Sequence, residues 1–183
     1  LASGVTGTLP VGSGGTGLTS GTTDQLLKFT GTTTLASSAI TTGKVGQVLS
    51  TTAQNYMSTT STSYVDTGTT IDITPTATSS KIYIGFDSGL CYEGNNYSNF
   101  YCYATIDRGG TNLGGAAGLT GIYCNALNSY NDYGFNFSMN YLDSPSTTSA
   151  TTYKIQWRVN NAGAQIYYNL EGKSTITVME ILA

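Results

Sequence analysis

Thr152-Tyr153-Lys154-Ile155-Gln156-Trp157-Arg158-Val159, followed at once by Asn160-Asn161-Ala162-Gly163, decides the fold. Tyr153, Ile155, Trp157 and Val159 alternate without a slip against Thr152, Lys154, Gln156 and Arg158. That is the period of a strand with one face in a core and the other in water. The Asn/Gly-rich tetrapeptide then supplies the residues that tolerate a turn. Trp157, the only tryptophan, lies on the apolar side and is expected in the core.

The same alternation recurs on both sides. Ile71 and Ile73 flank Asp72, and Ile82, Ile84 and Phe86 follow each other at spacing two. Phe100, Cys102, Ala104 and Ile106 share a face that ends at a predicted hairpin, Asp107-Arg108-Gly109-Gly110. Tyr133, Phe135, Phe137, Met139 and Tyr141 oppose Gly134, Asn136, Ser138 and Asn140, and strands near Gln165–Asn169 and Thr175–Leu182 close the chain. About eight short strands with regular turn signals and no amphipathic window of three helical turns predict an all-β sandwich or jelly roll over residues 58–183.

Residues 1–57 read differently. Their apolar side chains come singly or in pairs, from Leu9 and Val11 to Val48 and Leu49. So sparse a set cannot offset about 1–2 kcal/mol of backbone entropy per ordered residue, so the segment needs partner chains. Thr23-Asp24-Gln25-Leu26-Leu27-Lys28-Phe29 with Thr30-Gly31-Thr32 reads as a short strand pair with a turn. Gly7-Thr8-Leu9-Pro10-Val11-Gly12-Ser13-Gly14-Gly15-Thr16-Gly17 admits no helix or regular strand. By composition alone it is equally a flexible linker.

Leu9-Pro10-Val11 and Gly14-Gly15-Thr16-Gly17 resemble an element that recurs in bacteriophage tail-fibre and tail-spike proteins, with Gly12-Ser13 where Ala-Asn is usual. Gly43-Lys44-Val45-Gly46-Gln47-Val48-Leu49-Ser50-Thr51-Thr52 is similar to the joint before the distal domain of such fibres. Ser174-Thr175-Ile176-Thr177-Val178-Met179-Glu180-Ile181 is similar to its closing strand, and Ile73-Thr74-Pro75 and Ser79-Ser80-Lys81-Ile82 extend the likeness. The resemblance implies a trimeric, intertwined β-rich shaft followed by a jelly-roll head. It implies a virion component that attaches to the host through a surface glycan or outer-membrane protein. Its partners would be two copies of itself and other tail or baseplate proteins. Because the chain starts inside the motif at Leu1, more shaft is expected upstream.

Composition narrows the chemistry. Charged residues make up 9% of the chain and the net charge is −3, so no clustered cations offer a nucleic-acid surface. No apolar run reaches the roughly 18 residues of a membrane span, and no secretion signal is visible. Histidine is absent, which removes Ser-His-Asp and Cys-His mechanisms. Cys91, Cys102 and Cys124 fit no zinc spacing. They read as buried thiols, or as one Cys91–Cys102 bridge with a thiol left over. Neither a cofactor nor a metal is expected.

Fourteen tyrosines are the notable functional resource, since a phenol offers a flat apolar ring and a hydroxyl at low entropy cost. The expected recognition stretches are the loops Glu93–Asn99 and Cys124–Asp132. Their candidate contacts are Tyr92, Glu93, Asn95, Asn96, Tyr97, Asn125, Asn128, Tyr130, Asn131 and Asp132. Two carboxylate pairs, Glu93 with Asp132 and Asp87 with Asp107, would serve a glycan depolymerase only if about 5–9.5 Å apart. The chain is read as a binding protein and not an enzyme. A depolymerase of tail-spike type and a purely structural collar or head fibre are the alternatives.

Overall fold

The computed structural model describes residues 22, 25–32, 34–39, 44–94, 97, 99–125 and 134–182. Among them no helix forms, and the chain divides into two compact units, the second beginning at Val45. In the first, β1 (Leu26–Phe29) and β2 (Leu35–Ser38) pair antiparallel, with Phe29 opposite Leu35, around the turn read in the sequence. The Gly7–Gly17 motif lies outside the described residues.

The second unit is built from two sheets. One has the order β10 (Thr120–Cys124), β8 (Phe100–Arg108), β13 (Thr151–Val159), β5 (Val65–Ile73), with β9 (Thr111–Asn112) hairpinned onto β8. Gly109 and Gly110, at φ 54° and 93°, make that hairpin, a pair of positive φ values that glycine alone adopts without strain. The other sheet is broken across its middle. Its upper part has the order β12 (Ser138–Asp143), β6 (Lys81–Asp87), β15 (Ser174–Leu182), β3 (Lys44–Ala53). Its lower part has the order β11 (Gly134–Phe135), β7 (Leu90–Glu93), β14 (Ile166–Glu171), β4 (Met57–Thr59). Each upper strand thus runs into a lower one, giving four long strands that all break side by side.

With each broken strand counted once and the short β9 set aside, the eight remaining strands of this unit in chain order form sheets 5-4-7-2 and 6-3-8-1. That is the strand order of a jelly roll, two sheets joined by Greek-key connections. Two readings of the sequence change. Tyr133–Tyr141 is not one strand, because Asn136 and Phe137 fall in the break; Tyr133 lies outside the described residues. Lys44–Thr52 is not a joint but most of edge strand β3, so the sandwich gathers chain ahead of Ser58.

Side chains take over the ladder at the break. The Ser88 amide donates to Phe137 O (2.8 Å), and the Phe137 amide donates to Ser88 Oγ (2.7 Å). Asn169, at φ 54°, accepts from the Gly89 amide (3.2 Å) and donates to Ala53 O (3.1 Å). Ser174 Oγ also donates to Ala53 O (3.3 Å). All four strands are stitched this way, as buried backbone groups require.

Between the sheets lies one core. Ile71, Ile73, Phe100, Cys102, Ala104, Ile106, Tyr153, Ile155, Trp157 and Val159 face Ile82, Ile84, Phe86, Phe137, Met139, Ile166, Tyr168, Ile176 and Val178. Trp157 is 1% exposed and meets Tyr168 edge-on, with centroids 5.5 Å apart. Polar links cross the same space: Thr69 Oγ1 lies 2.7 Å from Tyr168 Oη and 3.1 Å from Ser174 Oγ. In β5 three residues, Thr67, Gly68 and Thr69, stand opposite Ile155 alone. Two extra residues leave the inside–outside alternation unchanged. At one end Arg108 and the Tyr153 hydroxyl both donate to the buried Asp143 carboxylate, at 2.7 Å. Burial first, and that bond second, push the Tyr153 phenol well above its ordinary range.

Two outcomes follow. Truncation of Trp157 to Ala should cost about 3–5 kcal/mol in urea unfolding, as for other fully buried large rings. Glu180, buried on β15, accepts from Gln47 Nε2 (2.8 Å), the Thr76 amide (2.6 Å) and the Thr76 hydroxyl (2.8 Å). Burial raises its carboxyl, but these donors and the neighbouring Ser80 hydroxyl outweigh it and hold the group at about 2 against an ordinary 4.5. A depressed folded pKa stabilises above the unfolded value and is lost as pH falls through the folded one. The urea midpoint should therefore fall between pH 4.5 and pH 2, and Glu180→Gln should flatten that fall while lowering the midpoint at neutral pH.

Candidate functional site

Burying one side of β8, β10 and β13 puts Tyr101 and Tyr103, Gly121 and Tyr123, and Arg158 on the other. Their register makes them neighbours: Tyr123 lies opposite Tyr101, Gly121 opposite Tyr103, and Arg158 opposite Tyr103. The Tyr101 and Tyr123 rings are 4.8 Å apart between centroids, and the Tyr101 and Tyr103 rings are 5.7 Å apart and 11° from parallel. The Arg158 guanidinium sits 4.4 Å from the Tyr103 centroid and 5.2 Å from that of Tyr64, and it donates to Ala116 O at 2.9 Å. Such cation–π contacts contribute about 0.5–2 kcal/mol each. Burial raises the Tyr64 phenol, with Arg158 opposing it. One aromatic row thus crosses the sheet and opens outward at Tyr101 and Tyr123, which are 42% and 49% exposed.

The row ends where three connections leave the sandwich: from the start of β8, the end of β10 and the end of β13. Asn99, Asn125 and Asn160 are exposed there. Asn99 accepts from the Tyr123 hydroxyl (2.8 Å), and Asn160 accepts from the Tyr101 amide (2.7 Å). The expected recognition loops therefore leave from one end of one sheet. Asn95, Asn96, Asn128, Tyr130, Asn131 and Asp132 lie outside the described residues.

The other candidates are distributed differently. Glu93 is not a loop residue: it ends β7 fully buried, and its Oε1 accepts from the Tyr97 amide at 3.1 Å. Tyr97 is held down as well, edge-on to Phe100 with centroids 6.4 Å apart and lying over Gly163. Tyr92 belongs to a second row on the broken sheet, where Tyr167 meets both Tyr92 (6.1 Å) and Tyr56 (5.5 Å). Gly94 makes room for the Tyr167 ring, since any side chain there would overlap it. Of the expected contacts, Asn125 alone among the described residues is exposed at the loop end. The sequence reading missed Tyr101, Tyr103, Tyr123 and Arg158 as a unit. Their signal was register, with Gly121 opposite Tyr103, and register is invisible until pairing is known.

The acids and thiols have structural work. Asp107 accepts from the Gly110 amide (2.9 Å) and fixes the β8–β9 turn, while Asp87 lies exposed on the other sheet. Asp66 pairs with Lys154 (3.1 Å), and the Gln156 amide is first among the causes that lower its carboxyl. Cys91, Cys102 and Cys124 are free and buried, and burial lifts Cys91 and Cys124 to about 11, so none is a ready nucleophile at neutral pH. Among the described residues no cluster of acids and thiols could hold a metal, and no helix is long and apolar enough to cross a membrane.

Gly121 gives this face its shape, because a Cβ there would come within 2.9 Å of Tyr103 Cδ1. Gly121→Ala should therefore lower stability by about 1 kcal/mol, despite the entropy that alanine saves, by forcing Tyr103 off Arg158. Urea unfolding and the near-ultraviolet tyrosine signal would read the change.

No protein-family model matches the chain, and no curated protein matches it. Among solved structures it is similar to the infectious bursal disease virus VP2 subviral particle, at 13% identity over 85% of this chain and 42% of that one, with a TM-score of 0.36. It is likewise similar to the T13 particle of the same virus, at 12% identity over 85% and 39%, with a TM-score of 0.37. The chain spans about two fifths of the length of these proteins. Overlaps that loose carry no argument about what it does.

Proposed function

We propose that the chain is the distal part of a bacteriophage tail fibre, a homotrimeric virion protein whose sandwich end touches a bacterial surface glycan or outer-membrane protein. The observation that carries this reading is that the start of β8 and the ends of β10 and β13 lie together at one end of the sandwich, with Asn99, Asn125 and Asn160 exposed there beside exposed tyrosines. Loops on a rigid scaffold are where recognition is usually placed. The tail-fibre phrases in the sequence and the jelly-roll order support it. So does the β1–β2 pair: its strands have four residues each, and Leu26, Leu27 and Phe29 are 59%, 53% and 63% exposed. A lone two-stranded pair is marginal in water; two further copies would cover those side chains. The mechanism is avidity: weak sites presented three times per fibre gain orders of magnitude from effective concentration.

Native mass spectrometry should give three chains. Exchanging residues 125–132 for the same length of Gly/Ser should leave that mass and the melting temperature unchanged while abolishing adsorption to bacterial cells. A folded monomer would contradict the trimer, and full adsorption by the exchanged protein would contradict attachment through this end. Release of reducing sugar from envelope polysaccharide would favour a depolymerase.

A further inference from the structure

We infer that the Tyr101–Tyr123 end of the aromatic row is a saccharide-stacking subsite for the pyranose rings of a neutral oligosaccharide; this rests on the attachment reading and names its ligand class. Three observations carry it. First, the two exposed rings are cross-strand neighbours on β8 and β10, tilted 41° to each other, and β10 is an edge strand, so the patch is open from the side. Second, the rings are held before any ligand arrives. Tyr123 is bonded through its hydroxyl to Asn99, and Tyr101 lies parallel to Tyr103, which is fixed between Arg158 and Gly121. Pre-set aromatic side chains lose little entropy on binding.

Third, the surroundings select the chemistry. Asn99, bonded to the Tyr123 hydroxyl, and Asn160, bonded to the Tyr101 amide, put side-chain amides beside the rings. The charge against the aromatic row is Arg158, whose guanidinium is engaged by Tyr103 and by Ala116 O, while Lys154, Asp66, Asp72 and Asp107 lie farther along the same sheet face. No Asp, Glu or Lys projects beside Tyr101 or Tyr123 from β10 or from the Phe100–Ala104 stretch of β8. A pyranose has an apolar C–H face and a rim of hydroxyls, which matches rings bordered by amides. A second copy of the chain would instead seek aliphatic surface, and that is exposed on other strands, at Leu26, Leu27, Val45, Val48 and Leu49.

The test applies the intact chain to an array of short neutral hexose and N-acetylhexosamine oligosaccharides, alongside Tyr101→Ala, Tyr123→Ala and Tyr101→Phe. Native mass, thermal melting and adsorption to a panel of bacteria are measured on the same preparations. The expected result is retention of at least one oligosaccharide, about tenfold weaker with either alanine variant and nearly restored by Tyr101→Phe, at unchanged mass. Retention indifferent to both alanine variants overturns the subsite. So does a change of mass, which would make this face an interface between copies. Failure of the intact chain to retain any oligosaccharide also overturns it. If that chain still adsorbs to cells, attachment stands and only the ligand class is wrong; if it adsorbs to none of them, attachment fails as well.

Discussion

Four strands break at one level, and the backbone groups released at buried Ser88, Gly89 and Phe137 must each find a partner. Ser88, Asn169 and Ser174 supply those partners, reaching across Gly89, Phe137 and Ala53. An unsatisfied buried amide or carbonyl costs about 1–3 kcal/mol, so without these side chains the sheet would not tolerate its break. Thr69 and Tyr168 tie this seam to the opposite sheet, so here, as at Asp143 with Arg108 and Tyr153, the two layers are joined by hydrogen bonds as well as by packing.

Similar economy shapes the outer face. Loop 113–119 folds back over β8 through the Leu119 amide to Ala104 O (2.9 Å) and through Thr105, which bonds Asn112 (2.6 Å) and the Gly114 amide (3.2 Å). That covers one end of β8 and leaves Tyr101 open at the other. Gly118, at φ 73°, sits where a Cβ would overlap Ala104 O, so the covering loop is fixed by glycine just as the aromatic row is fixed by Gly121. Position on the strand, not residue type, separates the tyrosines that pack from those that face solvent.

Much of this was legible in the sequence. Period-two alternation placed β5, β6, β8 and β13 and named apolar residues that they bury, because a half-buried strand leaves a direct imprint on residue type; the closing strand β15 was placed without its faces. The jelly-roll class and the turns at Gly109-Gly110 and Asn160–Gly163 followed from the same pattern. The break was not legible, since Phe135, Phe137 and Met139 keep the alternation going through it and only hydrogen bonding shows the ladder stop. Glu93 misled for a related reason: a carboxylate followed by Gly94, Asn95 and Asn96 reads as the start of an exposed loop, and its burial goes with a donor brought from the Tyr97 amide. The aromatic site depends on inter-strand register, which one sequence does not contain.

The central claim is that this sandwich meets the bacterial surface with the end where β8, β10 and β13 release their loops. Hydrogen–deuterium exchange of the intact chain, with and without purified bacterial envelope fragments that it adsorbs to, tests this most directly. The account predicts added protection in residues 94–101 and 121–133, with none in the β1–β2 pair. Protection confined to residues 1–38, or to the outer face of the β15 sheet, would contradict it.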